Sequence, residues 1–249
     1  MPVPPAFVFT LDGVLVDSES VKLRSFTEAC RDVWRLSDDE LQTIQAYNAR
    51  QRGVPRRQKF EFVHCHLVMR GDNASVARVL DRYGELLEQR LPAVPLLPGV
   101  RAFLETVPGR RFVLSAAPED EVTTQLIRHG IDAAFEALFA SAVGKADTLR
   151  RICAAVEGPL VLFGDAPSDQ AAAVATGVRF VAVNPNDHLR PHVADWVADF
   201  TDVPSIRRLA SIPVDLTVSP TRSLPPGLTT LSGQTHLASP LSMLAQGHG

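Results

Sequence analysis

The stretch that decides the fold reads Phe7-Val-Phe-Thr-Leu-Asp-Gly-Val-Leu-Val-Asp-Ser-Glu19. Its apolar start predicts a buried β-strand, and Gly13 predicts a sharp turn directly after that strand. Thr10 and Asp12 would then lie at the carboxyl end of the strand. In an open parallel α/β sheet, ligands bind in the crevice outside the carboxyl ends of the strands. We therefore expect this strand end to form part of a binding site.

The chain beyond this stretch alternates between apolar, strand-like runs and helical patterns. The predicted strands span residues 6–10, 111–115, 137–140, 159–163 and 179–183. The helices between them are expected at residues 99–107, 119–129, 145–156 and 168–176. Such alternation predicts βαβ units, and hence an α/β fold with a parallel sheet covered by helices on both faces.

Residues 18–93 interrupt this alternation, because they carry successive helical patterns and no strand-like run. The four helices are expected at residues 19–34, 38–52, 56–70 and 74–90. Asn73 is a plausible N-cap for the last of them. The sequence thus predicts a core of residues 1–17 and 94–212 with a helical insertion. Residues 213–249 are rich in Pro, Ser, Thr, Gly and Leu, which is typical of a disordered tail, although the leucines leave docking onto this chain or a partner open.

Two further positions carry groups suited to an anionic ligand. Ser115 ends a predicted strand, and the backbone N–H groups that follow it, from Ala116 onward, can donate hydrogen bonds to a phosphoryl oxygen. Lys145 stands at a predicted helix start and is the only lysine after Lys59. A hydroxyl and a cation in these places are compatible with a phosphate site, although each is also common in proteins without one.

Two acidic residues follow another predicted strand, in Val161-Leu-Phe-Gly-Asp-Ala-Pro-Ser-Asp169. Asp165 comes at the end of the strand and Asp169 as the next helix opens. Carboxylates held in this way suit Mg²⁺, which takes oxygen ligands and bridges to substrate phosphate. The alternative is an ordinary helix start enriched in acidic residues.

In their order and spacing, these segments resemble the four motifs of the haloacid dehalogenase (HAD) superfamily, over about residues 6–205. Asp17-Ser-Glu19, Gly53-Val-Pro-Arg-Arg57 and Pro98-Gly-Val100 are most similar to the β-phosphoglucomutase and phosphoglycolate-phosphatase branch. The resemblance implies a Rossmann-like sheet, with residues 18–93 forming a small α-helical cap. It also implies a small phosphorylated metabolite as the partner and Mg²⁺ as the cofactor.

The resemblance also implies roles for particular residues. In the family, the first Asp of an Asp-x-Asp motif is the nucleophile and the second is the general acid/base; here Thr10 replaces the first and Asp12 retains the second. The implied catalytic residues are Thr10, Asp12, Ser115 and Lys145. The implied substrate-binding residues are Ser115, Ala116, Lys145 and Arg56. The implied Mg²⁺ ligands are Asp12, Asp165 and Asp169.

Threonine at position 10 is a poor substitute for a carboxylate. Its hydroxyl is un-ionised near neutral pH and is a weak, neutral metal ligand, and losing a covalent nucleophile costs roughly 4 kcal/mol or more of transition-state stabilisation. Three hypotheses follow. The chain is an atypical or weak hydrolase or phosphotransferase in which Asp12 activates water; or it binds a phosphorylated ligand without turnover; or Asp12 serves acid/base chemistry on a non-phosphoryl substrate.

Composition restricts the possible partners. A formal net charge of −3 gives no basic character typical of nucleic-acid binding. No window reaches the roughly 18 apolar residues of a membrane span, and the N-terminus does not resemble a signal peptide. Three widely spaced cysteines favour reduced thiols, so we expect a cytoplasmic protein. The sequence leaves the oligomeric state open.

Two groups of residues invite a functional interpretation that we do not favour. His64 and His66 lie two positions apart, and such residues point to different sides of a helix, so they are not expected to share a metal ion. Arg56, Arg57 and Lys59 could reach an anionic substrate from the insertion, but a basic helix start in solvent is the more common arrangement.

Overall fold

The computed structural model describes residues 3, 5–69, 74–142 and 144–210. The predicted N-cap Asn73 and the predicted tail, residues 213–249, lie outside the described residues. None of the helices within these ranges combines the length and the apolar composition that a bilayer crossing requires.

A six-stranded parallel sheet with the order β3-β2-β1-β4-β5-β6 forms the centre of the fold. The strands are β1 (Ala6–Phe9), β2 (Arg111–Leu114), β3 (Ala137–Phe139), β4 (Leu160–Gly164), β5 (Arg179–Val183) and β6 (Trp196–Val197). The predicted parallel sheet is confirmed, and its five predicted strands are present. The sixth, β6, was not predicted, because two residues are too few to show a strand pattern. The sheet grows outward from β1 in both directions, and the change of direction lies between β1 and β4, where such folds bind ligands.

A block of helices follows β1 before the chain returns to the sheet. It consists of α1 (Glu19–Trp34), α2 (Asp38–Arg50), α3 (Arg56–Phe62) and α4 (Ala74–Arg90), and we call it the helical insertion. Its centre is aromatic, because the rings of Phe26 and Phe60 stack with centroids 4.1 Å apart and Tyr83 packs edge-on against both. These rings belong to the same apolar cluster as Phe9 of β1, so the insertion shares its core with the sheet.

Two of the predicted helices in the insertion are too long. The helix predicted for residues 38–52 ends at Arg50, which frees a loop of residues 51–55. The helix predicted for residues 56–70 ends at Phe62, and Val63–Val68 form a π-helical segment instead. Six residues are too few for periodicity to separate a π-helical turn from an α-helical one. The shorter second helix matters for the site, because the freed loop reaches the sheet.

The remaining helices cover the two faces of the sheet. They are α5 (Val100–Thr106), α6 (Glu119–Arg128), α7 (Lys145–Ala155), α8 (Pro167–Thr176) and the unpredicted α9 (Val203–Leu209). Side chains alternate along β1 as strand geometry requires, so that Phe7 and Phe9 belong to the larger apolar core and Val8 to the smaller one. The ring of Phe9 stacks on Phe163 of β4 at 5.1 Å, and Phe103 of α5 packs edge-on against both. This aromatic core fixes the strand ends that carry the site.

Candidate functional site

A pocket opens at the carboxyl ends of β1, β2 and β4, between the sheet and the helical insertion. Every residue to which the sequence assigned a role lies in its wall: Thr10, Asp12, Arg56, Ser115, Ala116, Lys145, Asp165 and Asp169. The structure therefore brings the four separate motifs to one place. The roles themselves are argued below from the contacts of each side chain.

Thr10 directly follows β1 and is buried, with 5 % of its surface exposed. Its backbone N–H donates to the carbonyl of Phe163, 3.0 Å away, which ties it to the neighbouring strand β4. Its hydroxyl Oγ1 is buried and has no hydrogen-bond partner. Burying an unpaired hydroxyl is unfavourable, and such groups in native structures often face an unfilled ligand or water position.

Asp12 forms a compact hydrogen-bonded cluster with the start of the insertion. Its two oxygens accept hydrogen bonds of 2.5 Å, one from the Ser18 hydroxyl and one from the Lys22 ammonium. Lys22 also contacts Glu121 of α6 at 2.7 Å. Burial alone would raise the pKa of Asp12, but the charge and hydrogen bonds of Lys22 and Ser18 outweigh it and hold that pKa below its ordinary value. Asp12 is therefore held in its ionised, carboxylate form.

Ser115 follows β2 and lies in the pocket wall with the two alanines after it. Its hydroxyl oxygen accepts a hydrogen bond from the backbone N–H of Ala117 at 3.1 Å. The hydroxyl hydrogen of Ser115 and the backbone N–H of Ala116 are the donors this loop can offer to an anion.

Lys145 and Asp169 form a buried ion pair opposite Ser115's loop. Lys145 Nζ lies 2.6 Å from Asp169 Oδ1, and the other carboxylate oxygen accepts from the backbone N–H of Ala166 at 3.1 Å. Gly164 permits this arrangement, since a Cβ at that position would come within 2.6 Å of the Asp169 Cβ. Asp169 therefore caps α8 and neutralises Lys145 at the same time.

Asp165 lies at the end of β4 and is far less well neutralised than Asp169. Burial raises the pKa of its carboxyl group well above the ordinary value, and the nearby carboxylates of Glu19 and Asp169 add to the rise. Oxygen Oδ2 has no hydrogen-bond partner, although Arg52 Nη1 lies 3.4 Å away, within ion-pair distance. Gly13, with a positive φ of 73°, leaves the space for that oxygen, because a Cβ there would lie 2.5 Å from it.

The insertion supplies the cations on the opposite side of the pocket. Arg56, at the start of α3, forms an ion pair with Glu121 of α6. Lys59 donates to the side-chain carbonyl of Asn48 at 2.8 Å, and burial lowers its pKa to about 8. Arg57 instead lies in solvent, with 67 % of its side chain exposed. A solvated basic helix start, the arrangement that we favoured from the sequence, is therefore wrong for Arg56 and Lys59 and applies to Arg57.

Sequence reasoning overlooked the residues that join the insertion to the core. They are Glu19, Lys22, Arg52 and Glu121, of which the first three line the pocket. Arg52 and Glu19 lie 33 positions apart and Lys22 and Glu121 lie 99 positions apart, so no local spacing marks these pairs. The one available signal was Asp17-Ser-Glu19, which pointed to the family branch and not to a contact.

No group of three or more His, Cys, Asp and Glu side chains in the described ranges is arranged to hold a metal ion. His64 stacks on the ring of Trp34, and His66 packs on Phe62. Two oxygen atoms in the pocket wall are nevertheless of the kind that a divalent cation binds. Asp165 has a buried oxygen without a hydrogen-bond partner, and Thr10 has another, and oxygen donors are those that Mg²⁺ prefers.

Comparison with solved structures shows the same architecture in other proteins. The chain is similar to a predicted phosphoglycolate phosphatase from Haemophilus somnus (TM-score 0.65, 18% identity), covering 81% of this chain and 96% of that one. It is also similar to a hydrolase from Pseudomonas syringae (TM-score 0.66, 17% identity; 80% and 96% covered). A third similar structure is a Thermotoga maritima protein provisionally described as a β-phosphoglucomutase (TM-score 0.57, 20% identity; 82% and 98% covered). At these identities the similarity establishes the fold alone.

The search of curated proteins gave no match. The family model described as haloacid dehalogenase-like hydrolase matches residues 7–183, which include all four motifs and the whole helical insertion. This chain therefore belongs to the haloacid dehalogenase-like hydrolase family.

Proposed function

We propose that the pocket binds a small phosphorylated metabolite, with the phosphoryl group beside Thr10 and between Ser115 and Lys145. The observation that carries this proposal is the convergence of the Ser115 hydroxyl, the backbone of Ala116 and the buried ammonium of Lys145 at the carboxyl ends of adjacent strands. Charge-assisted hydrogen bonds from such donors are the strong contacts of phosphate sites. Arg56 and Lys59 face the same space from the insertion and would contact the rest of the ligand.

Hydrolysis in this pocket would be slow and would need no covalent intermediate. The Thr10 hydroxyl is a weak nucleophile, and a threonine phosphate would lack the reactivity of an acyl phosphate. Asp12 is held as a carboxylate, so it can take the proton of a water molecule that attacks phosphorus; the leaving oxygen departs with the electron pair of its bond to phosphorus and then takes that proton from Asp12. Lys145 would stabilise the charge that develops on the phosphoryl oxygens.

Where Mg²⁺ takes part, as the family resemblance implies, Asp165 is the residue best able to hold it. Asp12 and Asp169, the other predicted ligands, are already engaged by Lys22 and Lys145. When bound, the ion would supply positive charge to the phosphoryl oxygens. Because position 10 carries no carboxylate, the pocket should bind Mg²⁺ more weakly than a site that has one.

Binding without turnover is the second candidate, and a specific observation favours it. The carboxylates of Asp12, Asp169 and Glu121 are each paired with a cation, so the pocket is already close to neutral before any ligand enters. A regulatory or carrier protein needs such a stable anion site and no nucleophile.

The variant Thr10→Asp separates the two candidates. With Mg²⁺ and a panel of phosphate monoesters, we expect Thr10→Asp to hydrolyse substrate about a thousandfold faster than the parent, because a covalent nucleophile is worth roughly 4 kcal/mol. Thr10→Asn is the matched control, since it has nearly the same shape as aspartate without the nucleophile. A parent with no turnover beside an active Thr10→Asp supports the binding function.

A slow but measurable parent that loses activity in Asp12→Asn supports hydrolysis by direct attack of water. If the parent, Thr10→Asp and Thr10→Asn are all inactive and none binds inorganic phosphate in calorimetry, the proposed function is wrong.

A further inference from the structure

Arg52 comes from the helical insertion and ends beside the least neutralised carboxylate of the core. Its Nε atom donates to Glu19 at 2.8 Å, and its Nη1 atom lies 3.4 Å from Oδ2 of Asp165. Only 10 % of its side chain is exposed. Burial would lower the pKa of this guanidinium, but Asp165 and Glu19 outweigh burial and raise it, so Arg52 is a permanent positive charge inside the pocket.

The loop that carries Arg52 is built for this close approach. Gly53 has a positive φ of 72°, and a Cβ at this position would lie 2.9 Å from Lys145 Nζ and would collide with the hydroxyl of Ser168. A glycine therefore lets the backbone of the insertion rest directly on the Lys145 side of the core. This contact holds Arg52 in the pocket at the point where α2 has ended early.

The charges at the core side of the pocket show what Arg52 does there. Asp12 is paired with Lys22, and Asp169 with Lys145. Asp165 has no lysine and only Arg52 within ion-pair distance among the described residues. Threonine at position 10 adds no negative charge, and the Arg52 guanidinium bridges the two carboxylates that remain, Glu19 at 2.8 Å and Asp165 at 3.4 Å.

We propose that Arg52 occupies the positive position beside Asp165 that a divalent cation would otherwise take, so that the pocket binds its phosphorylated ligand without a metal. Because Arg52 Nη1 lies 3.4 Å from Oδ2 of Asp165, a metal at that oxygen would compete with the guanidinium for the same carboxylate. That the pocket binds a phosphorylated ligand at all rests on the proposed function. That this binding needs no metal is the claim added here.

The first test uses the parent protein and inorganic phosphate as the probe. Metal is removed with a chelating resin, and the dissociation constant of phosphate is measured by calorimetry with and without added Mg²⁺. We expect the two values to agree within about threefold, a ratio well below the tenfold that 1.4 kcal/mol represents. A parent that binds phosphate only with Mg²⁺ overturns the inference and leaves the proposed function standing. A parent that binds phosphate under neither condition overturns both.

The second test removes the built-in charge with Arg52→Gln. In metal-free buffer we expect phosphate binding to weaken at least about tenfold, because a cation is lost from a partly desolvated site. Added Mg²⁺ should restore most of the lost affinity, and binding of Mn²⁺, followed by electron paramagnetic resonance, should be tighter than in the parent. Arg52→Lys keeps the charge and should retain metal-independent binding. Arg57→Gln, which lies in solvent on the same segment, should behave as the parent.

Rescue by Mg²⁺ distinguishes this role from a structural one. If Arg52 only held the loop in place, or only contacted the ligand, Arg52→Gln would stay weak with Mg²⁺ and would bind Mn²⁺ no better than the parent. Either result in a variant with the parent's thermal stability overturns the inference. Should Arg52→Gln not fold, the comparison of the parent with and without Mg²⁺ still decides.

Discussion

The two sides of the pocket carry opposite charges and are built in different ways. The core wall consists of Thr10, Asp12, Ser115, Lys145, Asp165 and Asp169. The insertion wall consists of Glu19, Lys22, Arg52, Arg56 and Lys59. The core wall thus has three carboxylates and one cation, whereas the insertion wall has four cations and one carboxylate. The difference shows that a ligand anion depends on the insertion wall for most of its positive surroundings.

The two walls also differ in where their partners lie. On the core wall, Lys145 pairs with Asp169 and the Ser115 hydroxyl pairs with the backbone of its own loop. On the insertion wall, Lys22 and Arg52 pair with Asp12 and Asp165 of the core wall. The contacts of Asp12 and Asp165 thus cross the pocket and join the two walls, whereas Lys145 and Asp169 form an ion pair within the core wall. The variants below first break the ion pair within the core wall and then an ion pair that crosses the pocket. The last one changes Lys59, whose side-chain hydrogen bond goes to a neutral residue.

The largest effect is expected on the core wall, from Lys145→Met. It leaves Asp169, whose side chain is 1 % exposed, without its cation, and breaking a buried pair in this way costs about 3–5 kcal/mol. Urea denaturation at pH 7 measures the loss. Arg150→Met on the same helix breaks an exposed pair with Asp147 and should cost less than about 1 kcal/mol. Equal losses in the two variants would mean that the core wall does not depend on its internal pair.

The core wall is also the part of the site that the sequence could predict. Thr10, Ser115 and Asp165 each follow a strand that its apolar run identifies, and parallel strands bring their carboxyl ends to one edge. The insertion wall had no such guide. Arg52 was placed inside a helix that in fact ends at Arg50, and the contact of Lys22 with Glu121 spans 99 positions of the chain. Pairings at that distance depend on the tertiary fold, which local patterns do not encode.

A smaller effect is expected across the pocket, from Lys22→Met. In the parent, Lys22 outweighs burial and holds the pKa of Asp12 below its ordinary value. The ionised Asp12 therefore contributes stability at pH values above its ordinary pKa, and this contribution is lost as the pH falls through the folded-state pKa. The variant keeps the burial, which raises the pKa of Asp12 and makes the carboxylate costly at pH 7. We expect a loss of about 2 kcal/mol at pH 7, below that of a fully buried pair, in urea denaturation.

The loss should shrink at pH 4.5, because Asp12 of the variant can then take up a proton. Arg24→Met, on an exposed position of the same helix, should show neither the loss nor its dependence on pH. A loss that is the same at both pH values would show that Lys22 acts through packing and not through the charge of Asp12.

The smallest effect is expected from Lys59, the cation of the insertion wall that donates its hydrogen bond to the neutral side chain of Asn48. Burial, assisted by the positive charges of Lys22 and Arg56, lowers the pKa of Lys59 to about 8. The negative charges of Glu19 and Asp12 act in the opposite direction. Below that pH Lys59 is an ammonium and attracts an anion, and above it the amine is neutral. Phosphate affinity should therefore fall by a factor of about 3–10 between pH 7 and pH 9.5, the range expected for one partly buried charge. Lys59→Arg stays charged and should lose this dependence, so the ratio of parent to variant affinities, in which the ionisation of phosphate cancels, isolates Lys59. A constant ratio would place the ligand away from Lys59 and confine its contacts to the remaining cations of the two walls.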